Sequence, residues 1–314
     1  MTAYIIRRLV ALLPVLLIVA TVGFFLIYLT PGDPAAVMLG PDATEEELTA
    51  LRQVMGLDKP LLVQLYRWYA RVLRGDLGYS IFLQRPVLQA ILERIEPTGL
   101  LTLLSLTIAV AVGVPAGVVA AVRRNTWLDQ ASMGVAMFGV SVPNFWLGLN
   151  LILLFSVYLG LLPVAGYVPV ATSVSGALRT LVLPAVTLGI SASALIARMT
   201  RSSMLEVLGQ DFVRTARAKG NRERRVVYRH ALRNAMIPTV TVIGLAMGGL
   251  LSGAIVTETV FALPGVGRLV ISSVLRRDYP VVQGILMFIA TIYVMVNLLI
   301  DVIYVYLDPR VKYA

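Results

Sequence analysis

Long apolar runs broken by short charged segments set the pattern of this chain. A helix needs about 20 predominantly apolar residues to cross the hydrocarbon core of a bilayer, and the pattern predicts six such helices. The first is Leu9–Leu29, behind Arg7 and Arg8; its apolar run is too long for a cleaved leader, and no small-residue cleavage site follows it. The second lies between Glu96 and Arg123, and the third runs from Ser132 to Gly160. The fourth covers Leu181–Ala197, the fifth Ala235–Thr257 and the sixth Val281–Leu307. After Gly160 the chain stays uncharged as far as Leu178, but Pro163, Gly166 and Pro169 mark a loop there.

Two polar stretches carry their own punctuation. In segment 31–97, Thr44 with Glu47 forms a capping box, Leu48, Leu51, Val54 and Met55 make an apolar face, and Gly56 stops the helix. A second helix is expected over Lys59–Arg74, capped by Asp58 and ended by Gly75, with Leu61, Leu62, Leu65, Trp68, Tyr69 and Val72 along one side. These helices either pack on the bundle or receive a soluble partner. The other stretch contains the block RTARAKGNRERRVVYRHALRN, Arg214–Asn234. Gly209 is expected to end an extension of the fourth span, Asp211 to cap a short helix Phe212–Lys219, and Gly220 to sit just past its end. Asn221 then caps a further helix with Arg222, Arg225, Arg229 and Arg233 on one face. Ala216 and Gly220 stand four apart, on one face, and are small enough to admit a partner closely.

Composition agrees with a membrane protein: 58% of the 314 residues are hydrophobic and 14% charged, where soluble domains carry about 25% charge. The net charge of +10 resembles a nucleic-acid signal, but in a membrane chain it reads as loop charge, and no nucleic-acid partner is expected. Six spans put both termini on one side, and the segments on that side hold 16 of the 27 basic residues, ten of them from Arg198 to Arg233. Segment 31–97 holds seven, outnumbered by nine acidic residues. Lys/Arg bias in short loops marks the cytoplasmic face, so both termini and the basic block are expected there. A solvated basic loop is the plain reading of that block.

Several chemistries are excluded. There is no cysteine and one histidine, His230, so no metal site is expected. The three lysines, Lys59, Lys219 and Lys312, follow Asp58, Ala218 and Val311, so no GxxxxGK[ST] phosphate loop exists. GxSxG and HExxH are absent, and no catalytic residues are assigned. Two acidic residues lie in or beside spans. Glu258 sits at the outer end of the fifth, where water is close; it either pairs with Arg268 to hold the loop between them or attracts a cationic substrate group. Asp301 shares a face with Asn297 in the sixth and suits an interhelical hydrogen bond.

Motifs along the whole chain resemble the permease subunits of bacterial ABC importers of the dipeptide/oligopeptide/nickel group. They are YIIRRLVALLPVL at the start, PGDP at Pro31–Pro34, GDLGYS at Gly75–Ser80, SVPNFWLG at Ser141–Gly148, TETVFALPGVGRL at Thr257–Leu269 and YLDPRVKY at Tyr306–Tyr313. The basic block is similar to the family's cytoplasmic EAA coupling motif, EAAxxxG(x9)IxLP, of which Ala216, Gly220 and Leu232 match. Arg214 stands for the glutamate and Arg233 for the proline, as in the peptide-importer branch.

The resemblance implies an all-α type I importer permease fold with a helical external insertion. Its organisation would be residues 1–30 as N-terminus and first span, 31–97 as insertion, and 98–314 as a five-helix core with coupling helices at about 200–234. It implies an inner-membrane permease, not an enzyme, that passes peptides from a solute-binding protein, beside a second related permease and two ATPase subunits. ATP and Mg would be held by the ATPases, with no cofactor on this chain and lipid around it. Asp211, Arg214, Thr215, Ala216, Gly220 and Arg222 would couple to the ATPases; Asn144, Phe145, Glu258, Arg268 and Asp301 would line or gate the path. Nickel complexes, glutathione or oligosaccharides are alternative cargoes. A secondary transporter is the rival class, but Glu258 and Asp301 lie poorly for midplane ion coupling.

Overall fold

In the computed structural model the protein is helical, and the structure describes residues 2–29, 32–40 and 42–307. The chain divides into two compact units, 1–95 with 268–298, and 96–267 with 299–314. Among the described residues four helices are long and apolar enough to span a membrane, or five if one bent pair is a single span. The remaining departure from six lies in α1 (Thr2–Leu29), whose fully described apolar part is the short stretch Leu13–Leu29.

In the smaller unit, α2 (Pro34–Leu39) and α3 (Glu45–Met55) follow α1. Asp33 caps α2 and takes a salt bridge from Arg52 at 2.8 Å. The expected capping box forms: Thr44 accepts from the Glu47 amide, the Glu47 carboxylate accepts from the Thr44 amide, and Gly56 ends α3 at φ 72°. Leu48 and Leu51 are buried against Ile27 and Met38, while Val54 is exposed. The next helix, α4, is shorter than expected, Leu61–Leu73, and its N-cap is Pro60. Asp58 pairs with Lys59 at 2.8 Å instead of capping. The α4 apolar side packs on α1 and on α13 (Tyr279–Leu307): Trp68 sits with Ala20, Phe24 and Met287, and its indole N–H donates to the Ala20 carbonyl at 3.0 Å. A two-residue hairpin pairs β1 (Tyr79–Ser80) with β2 (Arg85–Pro86). It places buried Ser80 to donate to Asp278 at 2.5 Å. Burial pushes the Asp278 carboxyl up, and the Ser80 hydrogen bond opposes it.

The larger unit is built around α8, which runs Val174–Leu208: it begins before the expected span, and its far end is the expected extension stopped at Gly209. α5 (Val87–Val122) also begins early, so positions 97 and 98 lie inside a helix. The expected third span is not straight. α6 (Trp127–Ser141) and the helix Asn144–Tyr158 meet at 102°. Pro143 has no amide hydrogen and biases its predecessor away from helical geometry, and Val142 is extended at φ −79°, ψ 126°. The second arm is α7 (Asn144–Leu151) continued as π-helix over Ile152–Tyr158. At the far end of the sequence, α10 (Glu223–Arg225), a π-helical segment Val226–Ala231 and α11 (Leu232–Val260) form one 38-residue helix.

Helices cross α8 where side chains are missing. A Cβ on Gly113 would stand 2.6 Å from the Ser193 carbonyl, and one on Gly117 2.6 Å from that of Ala197. Overpacking such a contact costs about 1–3 kcal/mol. Gly117→Val should therefore destabilise the detergent-purified protein by about that amount, read as a lowered thermal midpoint. Gly134→Val, with nothing within 4 Å of its Cβ position, should change the midpoint little.

Candidate functional site

The Leu208 end of α8 leads into the basic block. α9 (Asp211–Ala218) follows Gly209 with Gln210 at its N-cap position, so Asp211 is its first residue rather than its cap; it pairs with Arg214 at 3.3 Å. Gly220 lies at φ +75°, the left-handed position expected of it. Asn221 does not cap α10: its side-chain amide turns back to donate to the Ala216 carbonyl at 2.9 Å, and Arg222 occupies the N-cap position without a side-chain capping bond. Arg217 and Glu223 form two hydrogen bonds across the turn, at 3.1 and 2.8 Å. The Glu223 carboxylate holds the Arg217 guanidinium above its usual range. Val213 and Ala216 are buried against Val226, Val207 and Leu208. Ala216 thus faces the chain's own core, and the open side of α9 carries Phe212, Arg214, Thr215 and Lys219. The second expected helix is not separate. It is the start of the α10–α11 helix, so α9 bridges the ends of two long helices.

Beside this block, α5 turns into α6 through Asn125 at φ 62°. The buried Asp129 carboxylate accepts from the Asn125 amide at 3.0 Å and from Arg201 at 2.6 and 2.8 Å. A bidentate guanidinium–carboxylate pair is short and directional. It ties the turn to α8.

At the other end of α8, Glu258 is wholly buried, not close to water as expected. Thr98 on α5 donates to its Oε1 at 2.5 Å and accepts from the Val266 amide at 2.8 Å. A Cβ on Gly265 would lie 2.2 Å from the Glu258 carboxyl. The carboxyl therefore fills the notch left by Gly265, and the FALPGVG loop wraps it. Burial closes the cationic-substrate route for Glu258 in this conformation. Phe261 in the same loop packs on the bare face of Gly148, and its carbonyl accepts from the Gly166 amide at 3.0 Å. Glu96 accepts from the Tyr167 hydroxyl at 2.5 Å and from the Val170 amide at 2.7 Å, fixing the loop between α7 and α8. Burial first, then Glu96, pushes the Tyr167 phenol well above its usual range.

Between these ends, a cleft of ≈ 310 Å³ lies among α6, α7, α8 and α11. Asn144, Ser191 and Arg198 line it among apolar and small residues. No group of acidic or histidine side chains among the described residues forms a metal site.

Family models match both parts of the chain: "Binding-protein-dependent transport system inner membrane component" over residues 113–313, and its N-terminal counterpart over residues 1–103. The chain belongs to this family of transport permeases. It is similar to a "Putative peptide transport system permease protein" of Brucella abortus, 47% identical over 313 residues and all of both chains. It is likewise similar to "Glutathione transport system permease protein GsiC" of Escherichia coli, 44% identical over the full length of both. In fold it is similar to a chain of the inward-facing MetNI methionine ABC transporter, with TM-score 0.59 and 20% identity, covering 70% of this chain and 97% of that one.

Of the permease residues expected on the path, Asn144 lines the cleft, Phe145 is exposed on the next position, and Arg268 is exposed on α12 (Val266–Leu275). Asp301 lies on α13 with its side chain outside the described residues. Sequence reasoning missed Thr98, Asp129 and Arg198. Asp129, an acid two residues into a long apolar run, was the available signal. Thr98 carried none.

The Glu258 notch yields a double-mutant test. Gly265→Ala should destabilise the loop, and Glu258→Ala should cost stability by emptying a buried site. If carboxyl and notch fit each other, the double variant should be less destabilised than the sum of the two, with a coupling of about 1–3 kcal/mol in thermal unfolding. Additive losses would contradict the contact.

Proposed function

We propose that this permease is the membrane subunit of an ATP-driven importer and forms part of a path for peptides delivered by a solute-binding protein. The relatives named for peptide transport, alike over their whole length, support the cargo. The observation that carries the coupling half is the seat of α9, held by Arg217–Glu223 and Asn221–Ala216 between the ends of α8 and the α10–α11 helix. In this reading both termini and α9 face the cytoplasm, segment 31–97 faces outward, and the chain pairs with a second permease. Two ATPases, which hold ATP and Mg, dock on the open side of α9 through Phe212, Arg214, Thr215 and Lys219. Asp211 and Arg222 flank the contact. Ala216 and Gly220 set the angle of the block rather than entering the partner. The Glu258-held loop serves as the outer gate, with Phe145 and Arg268 as further gate residues.

Glutathione is the second reading, since relatives named for it are alike to a similar degree. Uptake by the complex with its binding protein, measured with labelled di- to tetrapeptides against glutathione, separates the two.

Single cysteines are clean probes, because the chain has none of its own. At Glu46 a cysteine should react with an impermeant thiol reagent outside intact cells, and at Asn221 it should not. Docking has its own test. Phe212→Asp should lower ATPase co-purification and substrate-stimulated hydrolysis about tenfold or more, with membrane insertion unchanged. Gly220→Val forces a β-branched residue into left-handed geometry and should uncouple hydrolysis from uptake. Normal coupling in both variants would remove the docking assignment.

A further inference from the structure

The cleft among α6, α7, α8 and α11 gathers polar side chains that have no partner among the described residues. Asn144, Ser191 and Arg198 make no side-chain hydrogen bond or ion pair among the described residues, unlike Asp129, Arg201, Thr98 and Glu96 nearby. Leu188, Ser191, Ala192, Leu195 and Arg198 follow one face of α8. They therefore mark out a groove about 15 Å long at 1.5 Å per residue. Arg198 stands at one end. Asn144 stands toward the other, close enough to α11 that its amide would lie 3.6 Å from a Cβ on Gly253, with Leu188 at 3.0 Å from the same point. Ala192, Ala246 and Gly249 keep the groove open.

We propose that this groove is a transit subsite and that Arg198 receives the carboxylate of the cargo. The chemistry is specific. A guanidinium presents a planar fork that matches a carboxylate bidentately. The Asn144 amide both donates and accepts, and the Ser191 hydroxyl does the same, which suits the N–H and C=O of a peptide backbone. Three extended residues span about 10–11 Å, so a short peptide with its carboxylate on Arg198 reaches toward Asn144. A few convergent polar groups in an apolar, mostly formed cleft are the usual make-up of a small-molecule site. The assignment rests on the peptide reading above, and names the group of the cargo that this chain reads.

The experiment uses the assembled transporter with its binding protein in proteoliposomes, and Arg198→Cys in a chain otherwise free of cysteine. Uptake of a free-acid tripeptide should fall about tenfold, with capture by the binding protein unchanged. Treatment with an ethylammonium thiosulfonate, which restores a positive charge at that sulfur, should recover much of the uptake. The sulfonatoethyl reagent, which adds a negative charge, should lower it further. Free-acid peptide should also slow both modifications. Wild-type uptake in Arg198→Cys, or the same response to both reagents, overturns the assignment and leaves Arg198 as an anchor at the lipid interface. If the wild-type complex moves no peptide at all but does move another carboxylate such as glutathione, the peptide reading falls. The charge test is then run on that cargo with the same outcomes.

Discussion

The larger unit depends on close approach to α8. Backbone-to-backbone packing replaces side-chain packing at Gly113 and Gly117 from α5, and at Gly189 on α8 itself, where a Cβ would stand 2.9 Å from the Ser105 carbonyl. In lipid the hydrophobic effect does not drive helices together, because the tails are as apolar as the side chains. Small residues that allow dispersion contact take its place. The position of α5 then decides two further features. At one end it brings the turn at Asn125 to α8, where Arg201 closes on Asp129. At the other it brings Thr98 to Glu258 and Val266.

Continuity of the long helices follows from the same solvent. Backbone groups at membrane depth must be satisfied within the segment, so α8 and the α10–α11 helix run on rather than fraying. Each nonetheless tolerates a local interruption of the ladder, Pro184 in α8 and Pro238 in α11, and the α10–α11 helix also carries a π-helical stretch at Val226–Ala231. The π stretch lies where Val227 and Ala231 pack with Val118, Ala121 and Met204. α9 is joined to the ends of these two long helices through a seat made of side-chain bonds and a small apolar cluster. The two helices reach the Glu258-held loop and flank the Arg198 groove.

Much of this was legible in the sequence. Hydropathy located the four long apolar helices and the bent pair, the Thr44–Glu47 box and Gly56 bounded α3, and Gly220 marked the turn after α9. What was not legible has physical reasons. Charge marks where a helix leaves lipid, not where it ends: the spans were bounded at Ala197 and Ala235, while α8 continues through Arg198 to the expected stop at Gly209 and the α10–α11 helix runs through Arg233 without a break. Asn221 has the chemistry of a cap, yet the Ala216 carbonyl at the end of α9 offered a competing acceptor. Pro143 in SVPNFWLG was visible, but whether a proline kinks a helix or breaks it by 102° depends on the neighbours that receive the second arm. Here Gly148 receives Phe261, and that contact is distant in sequence. The burial of Ala216 has the same origin: spacing gave its face, and the fusion of α10 with α11 decided which way that face turned.

Partnership sorts the ionisable and polar residues of the larger unit better than depth does. Asp129 and Glu258 are both buried acids in apolar surroundings, where an uncompensated charge is costly. Each is surrounded by donors on other elements, and each joins segments far apart in sequence. Such groups hold shape, and the structure leaves them little room to meet a passing molecule. Arg198 is the reverse case. It stands on the same helix as Arg201, one turn away. Arg201 is consumed by Asp129, and Arg198 is left over beside an unbonded amide and hydroxyl. A helix that spends one arginine on its own fold and keeps the next one open, one turn apart, separates a structural charge from an uncommitted one.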